Sequence, residues 1–154
     1  MDYTHIKDVA IIIGSLVALF TFINGIIEYG RQGRQKRADQ FVIIRRRLKE
    51  NETFKHLTDM ALRNDPALAD VLPADKRDLL GLFEEAALMM NSGLIRKEVA
   101  HYMFGSYVIA CYESEYFWVN LNRTELYWQL FNDFAMQMQH IENHFKYKRS
   151  MMRF

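Results

Sequence analysis

The chain has 154 residues, of which 50% are hydrophobic and 14% aromatic, a composition that excludes a disordered polymer. Its formal net charge of +1 is laid out in blocks: residues 28–49 carry eight Lys/Arg against two acids (+6), residues 146–154 carry four bases and no acid (+4), and residues 50–145 carry fifteen acids against seven bases (−8). Two basic ends around an acidic middle exclude a uniformly basic nucleic-acid binder. A single cysteine, Cys111, excludes an internal disulfide and suits a reducing compartment; among Tyr107, Val108 and Ala110 it reads as a small buried hydrophobe.

Val9 to Ile27 is a run without charge, bracketed by Asp8 and Glu28. Nineteen helical residues span about 28 Å, close to the hydrocarbon thickness of a bilayer. A cleaved signal peptide is the rival reading, but Lys7 is offset by Asp2 and Asp8, and no small-x-small site follows. A soluble core helix is the other alternative, because Gly14, Asn24 and Gly25 interrupt the run. Residues 1–30 are therefore expected to be an N-terminal tail and transmembrane anchor. Ala10, Gly14 and Ala18 recur every four residues and form a small-residue face on which another span could pack closely.

Residues 31–37 form a basic joint or a continuation of the membrane helix. Arg31, Arg34, Lys36 and Arg37 fix the expected orientation: basic flanks stay cytoplasmic, so the N-terminus lies outside and the rest inside. The same four residues, with Lys146, Lys148, Arg149 and Arg153 near the C-terminus, suit the anionic headgroups of the bilayer.

Residues 38–147 are expected to form a cytoplasmic helical domain, and 148–154 a basic tail. The first helix runs from Ala38 to Lys49, with Phe41, Ile44 and Leu48 on one face and Arg45 to Arg47 turned away. The second covers Glu52 to Arg63, with Phe54, Leu57, Ala61 and Leu62 as its apolar stripe. A loop from Pro66 to Pro73 is anchored by Leu68, Val71 and Leu72. The third helix, Pro73 to Met90, is apolar nearly all round and so buried on several sides. Gly93 suits the left-handed conformation that ends it. The fourth helix, Arg96 to Tyr112, has two apolar sides, with Gly105 allowing a close approach. An aromatic connection, 113–123, leads to a capping box at Asn122 and Glu125. The fifth helix then reaches Tyr147 with Leu126, Leu130, Phe134, Met138, Ile141 and Phe145 as its stripe. The fold class is all-α: one transmembrane helix and a bundle of about five helices.

Few residues carry recognisable chemistry. No Gly-rich phosphate loop, nucleophile elbow, Cys-x-x-Cys or calcium loop occurs. Glu98 and His101 have the Glu-x-x-His spacing of helical di-iron proteins, but only one such motif is present. His140 and His144 share a polar helix face and read as a solvated pair. Neither a metal nor another cofactor is expected. Glu84 and Glu85 on the very apolar third helix read as salt-bridge partners for Arg96, Arg123 or His101, with a perturbed general acid as the sharper alternative. Tyr116, Phe117, Trp118, Tyr127 and Trp128 read as core. Trp128 falls off the main stripe, which makes it, with Glu84 and Glu85, the expected partner surface.

Phe83-Glu84-Glu85-Ala86-Ala87, Asn91-Ser92-Gly93-Leu94-Ile95, Met103-Phe104-Gly105, Phe117-Trp118 and Tyr127-Trp128-x-x-Phe131-x-x-Phe134 occur in this order. This layout resembles a bacterial family of small single-span membrane proteins catalogued as a domain of unknown function, number 4760. The resemblance implies a bacterial cytoplasmic membrane and supplies no reaction or catalytic residue. The expected function is a non-enzymatic, membrane-anchored interaction module that binds a protein partner or itself. The alternatives are an oligomeric membrane-perturbing effector and a helical ligand sensor or enzyme using Glu84 and His101.

Overall fold

The computed structural model describes the backbone of residues 3–144 and the side chains of residues 12–32, 39 and 41–144. All regular structure among the described residues is helical, in the order α1 (Tyr3–Glu50), α2 (Glu52–Leu62), a 3-10 turn (Pro66–Asp70), α3 (Pro73–Asn91), α4 (Lys97–Ala100), a π-turn (His101–Gly105), α5 (Ser106–Glu113), a second 3-10 turn (Leu126–Trp128) and α6 (Gln129–His144). The chain divides into two compact units, Met1–Ala38 and Asp39–Phe154. The all-α expectation holds.

In the first unit, the 21 residues Ile12–Gln32 of α1 are long and apolar enough to cross a membrane, and none of them is buried. Residues 31–37 are helical, so the basic stretch continues the apolar helix without a break.

The second unit begins with the last turns of α1. Phe41, Ile44 and Leu48 are buried and Arg45, Arg46 and Arg47 are exposed, as the 3.6-residue period requires. Asn51 ends α1 and caps α2, its side-chain oxygen accepting from the Phe54 N–H at 3.2 Å. Phe54, Leu57 and Ala61 enter the core, but Leu62 stays half-exposed at the last turn. Asp65 then accepts from the Ala67 N–H at 2.9 Å and opens the 3-10 turn that buries Leu68. Leu72, expected as an anchor, is exposed.

Leu79, Leu80, Leu82, Phe83, Ala86 and Ala87 make α3 the most deeply buried helix, in contact with α2, α4 and α6. Its end is a Schellman motif. Gly93 sits at φ +68°, its N–H donates to the Met90 carbonyl at 3.0 Å, and the Leu94 N–H donates to the Met89 carbonyl at 2.9 Å.

The expected fourth helix is interrupted by the π-turn at His101–Gly105. Gly105 does permit a close approach, but by a side chain of its own helix: a Cβ there would lie 2.7 Å from Cδ2 of His101. The wider turn makes room for that ring.

The fifth helix begins later than its sequence stripe suggests. Residues 126–128 form a 3-10 turn, and Asn122 accepts from the backbone N–H and hydroxyl of Thr124 instead of capping a helix. A 3-10 turn rotates by about 120° per residue against about 100° in an α-helix, so the side chains ahead of Gln129 lie off the extrapolated stripe. Leu126 is exposed, and Trp128 is buried instead. From Phe131 on, the period recovers, and Phe134, Ala135, Met138 and Ile141 face the core.

Aromatic contacts join these segments: Phe41 meets Phe104 at 5.8 Å between ring centroids, Phe83 meets Phe131 at 6.2 Å, and Trp118 meets Phe131 at 5.9 Å and Trp128 at 6.4 Å. Sequence reasoning missed Lys76. It is fully buried on α3, and its Nζ donates to the carbonyls of Val119 (3.1 Å) and Tyr116 (3.4 Å). Desolvation holds this ammonium below the ordinary lysine range, offset in part by Asp70. The charge clamps the aromatic connection onto α3.

Candidate functional site

On the first unit, Gly14 and Ala18 are exposed, and a Cβ at Gly14 would meet nothing within 4 Å. Arg31 lies 4.0 Å from Glu28 in an exposed pair along the helix. The side chains of Ala10, Arg34, Lys36 and Arg37 lie outside the described residues, as do Lys146, Lys148, Arg149 and Arg153.

On the second unit, the three residues expected to form a partner surface have different fates. Trp128 is 3% exposed, wedged between Trp118 and the edge of Tyr127 (4.7 Å between centroids), so it belongs to the core. The correction follows from the 3-10 turn, which carries Trp128 inward and leaves its neighbour Tyr127 72% exposed. Glu85 accepts both of its bonds from Nη1 of Arg47, at 2.8 and 3.0 Å, and so ties α3 to α1. Sequence reasoning expected a salt bridge for Glu85 but named other partners. Arg123 lies over the Tyr112 ring at 3.9 Å and donates to the Tyr112 carbonyl.

Glu84 is half-buried and turned toward α6. Its Oε1 is buried without a hydrogen-bond partner among the described residues. Desolvation raises its pKa above the ordinary glutamate value, and the nearby Phe131 backbone N–H partly offsets this. That amide belongs to the first turn of α6.

His101 is not its partner. The buried imidazole places Nε2 2.6 Å from Oε2 of Glu142. Phe131 and Glu142 are eleven residues apart on α6, a rise of about 16 Å. Glu84 and His101 therefore occupy separate places and form no common site. Among the described residues, no group of three or more His, Cys, Asp or Glu is placed to hold a metal ion. The rings of His140 and His144 stack at 4.5 Å on an exposed face of α6.

Tyr127 and Glu85 do share a surface. Both line an open groove of about 920 Å³ with Ile43, Arg47, Phe54 and Arg77. Ile43 and Tyr127 give it exposed apolar area, and the arginines and acids give it a charged rim. Aromatic and arginine side chains at such a groove are the residue types that dominate binding energy in protein interfaces. Cys111 is fully buried, and desolvation pushes its thiol pKa far up, so it takes no part.

No protein-family model, curated protein or solved structure matches the chain. The class that the fold defines is an all-α bundle whose first helix carries a bilayer-length apolar segment.

Proposed function

We propose that the protein is a membrane-anchored helical interaction module. Residues Ile12–Gln32 span the bacterial cytoplasmic membrane, the N-terminus lies outside, and the Asp39–Phe154 unit binds a protein partner in the cytoplasm. One observation carries this reading: a single helix combines a 21-residue, predominantly apolar segment, none of it buried, with turns that pack into a well-filled core. Exposed apolar surface of that extent is costly in water and is relieved in hydrocarbon. The basic run from Arg31 to Arg37 supports the orientation, and it and the basic C-terminus suit anionic headgroups. The motif resemblance to the single-span family agrees. The groove around Tyr127 is the partner surface, in place of Trp128, and Gly14 with Ala18 offers a face for a second copy of the span.

Reporter fusions at both ends test the topology. The C-terminal fusion should be active as a cytoplasmic reporter and silent as a periplasmic one. A photo-crosslinker at position 127 should trap a protein that one at position 128 does not. An active periplasmic C-terminal fusion would overturn the proposal.

A further inference from the structure

A second cavity, about 550 Å³, opens in the Asp39–Phe154 unit between α1, α2 and the π-turn with α5. Its walls carry Arg45 and Lys49 from α1, Lys55 from α2, and Tyr102, Ser106 and Tyr107 from the opposite side. The cationic side chains of this stretch of α1 fall into two sets. Arg46 pairs with Glu50 at 3.9 Å and Arg47 with Glu85 at 2.8 Å, and both face the other groove. Arg45 and Lys49 have no carboxylate within ion-pair distance among the described residues, and these two open on the cavity. The acid on the same wall, Asp59, is held by Arg63, and Lys55 is held by Glu52 at 2.6 Å.

Arg45 and Lys49 lie four apart on one helix, where like charges face each other and repel. An anion seated between them removes that repulsion. The guanidinium fork and the ammonium suit the several oxygens of a phosphate, and the hydroxyls of Ser106 and Tyr107 can donate to the oxygens that remain. The volume is that of a small-molecule site, and tyrosine rings give one wall a flat apolar face.

We propose that this cavity binds a phosphate-bearing ligand, with the phosphate between Arg45 and Lys49. The same chemistry is carried by a soluble phosphate ester and by a phospholipid headgroup. The inference goes beyond the function proposed above and does not depend on the orientation of the span.

The test uses the full chain in maltoside micelles and phosphate-free buffer, titrated calorimetrically with ADP, inorganic phosphate and dihexanoyl phosphatidylglycerol. At least one titrant should saturate, and the double variant R45Q/K49Q should weaken it tenfold or more. R46Q/R77Q, with the same change in net charge, should shift it less than twofold. Saturation by ADP, displaced by phosphate, identifies a soluble ester; saturation by the lipid alone identifies a headgroup. A measurement on the unaltered chain stands beside the variants: the saturating titrant should slow acylation of Lys49 by an amine-reactive ester and leave Lys97 unaffected. Failure of every titrant to saturate, equal weakening in the two double variants, or unchanged acylation of Lys49 would overturn the proposal.

Discussion

Two apolar helical segments of nearly equal length meet opposite surroundings. Ile12–Gln32 has 21 residues and buries none, whereas α3 has 19 and buries nine of them, eight apolar and Lys76. Mean hydropathy already separates them, since among the described helices only Ile12–Gln32 is apolar enough to cross a bilayer. The difference lies in where charge interrupts the apolar run. Helix α3 carries Asp75, Arg77, Asp78, Glu84 and Glu85 on sides left partly or wholly open, because a core helix in a small unit keeps an edge in water. Val9 to Ile27 carries no charge on any side. A helix with a solvated edge suits protein neighbours, and one without it has the length and composition to cross a bilayer.

The comparison breaks most readily on a pair of phenylalanines. Phe83 is fully buried on α3 and Phe20 is 68% exposed on α1. Phe83→Ala should destabilise the second unit by about 3–5 kcal/mol, and Phe20→Ala should leave it within about 0.5 kcal/mol of the parent. Urea unfolding in detergent, followed by tryptophan fluorescence, reads that unit alone, because Trp118 and Trp128 are the only tryptophans. Equal losses would erase the distinction between the two segments.

A pair of glycines sharpens it. Gly105→Ala drives a methyl group against the buried imidazole of His101, and should cost about 1–3 kcal/mol on the same transition. Gly14→Ala meets open space and should not move that transition. A neutral Gly105→Ala would mean that the π-turn relaxes freely.

The smallest effect concerns the half-buried carboxylate that the apolar span has no counterpart for. The folded chain holds the Glu84 proton more tightly than the unfolded chain does. Stability therefore declines as pH rises from the ordinary glutamate value through the raised one. Glu84→Gln cannot titrate and keeps an acceptor for the Phe131 N–H. The variant should gain on the parent across that window, by no more than about 1 kcal/mol. An advantage that shrinks with rising pH would contradict desolvation as the cause.

The sequence was most legible where α-helical periodicity ran uninterrupted. Phe41, Ile44 and Leu48 on α1, the burial of α3 on several sides and the glycine at φ +68° after it follow from spacing and backbone chemistry. The start of α6 was not legible, because a short 3-10 turn changes the rotation per residue without a distinctive composition. That shift exchanged the places of Leu126 and Trp128 and moved the candidate partner surface to Tyr127. Lys76 escaped for a different reason. Polar–apolar patterning places lysine outside, and only the folded path of residues 116–119 brings two carbonyls to its ammonium. The groove around Tyr127 and the cavity at Arg45 and Lys49 are assembled from distant segments, so no local motif announces either.

The burial of Cys111 has a practical consequence. A thiol reacts as the thiolate, and one fully enclosed with its pKa pushed far up offers almost none to a labelling reagent. The native chain is thus silent toward maleimides while folded. A cysteine introduced before Ile12, or at an exposed position after Asp39, becomes the one site that a membrane-impermeant maleimide can tag in whole cells. Sidedness of the helix can then be mapped residue by residue without first removing the native sulfur.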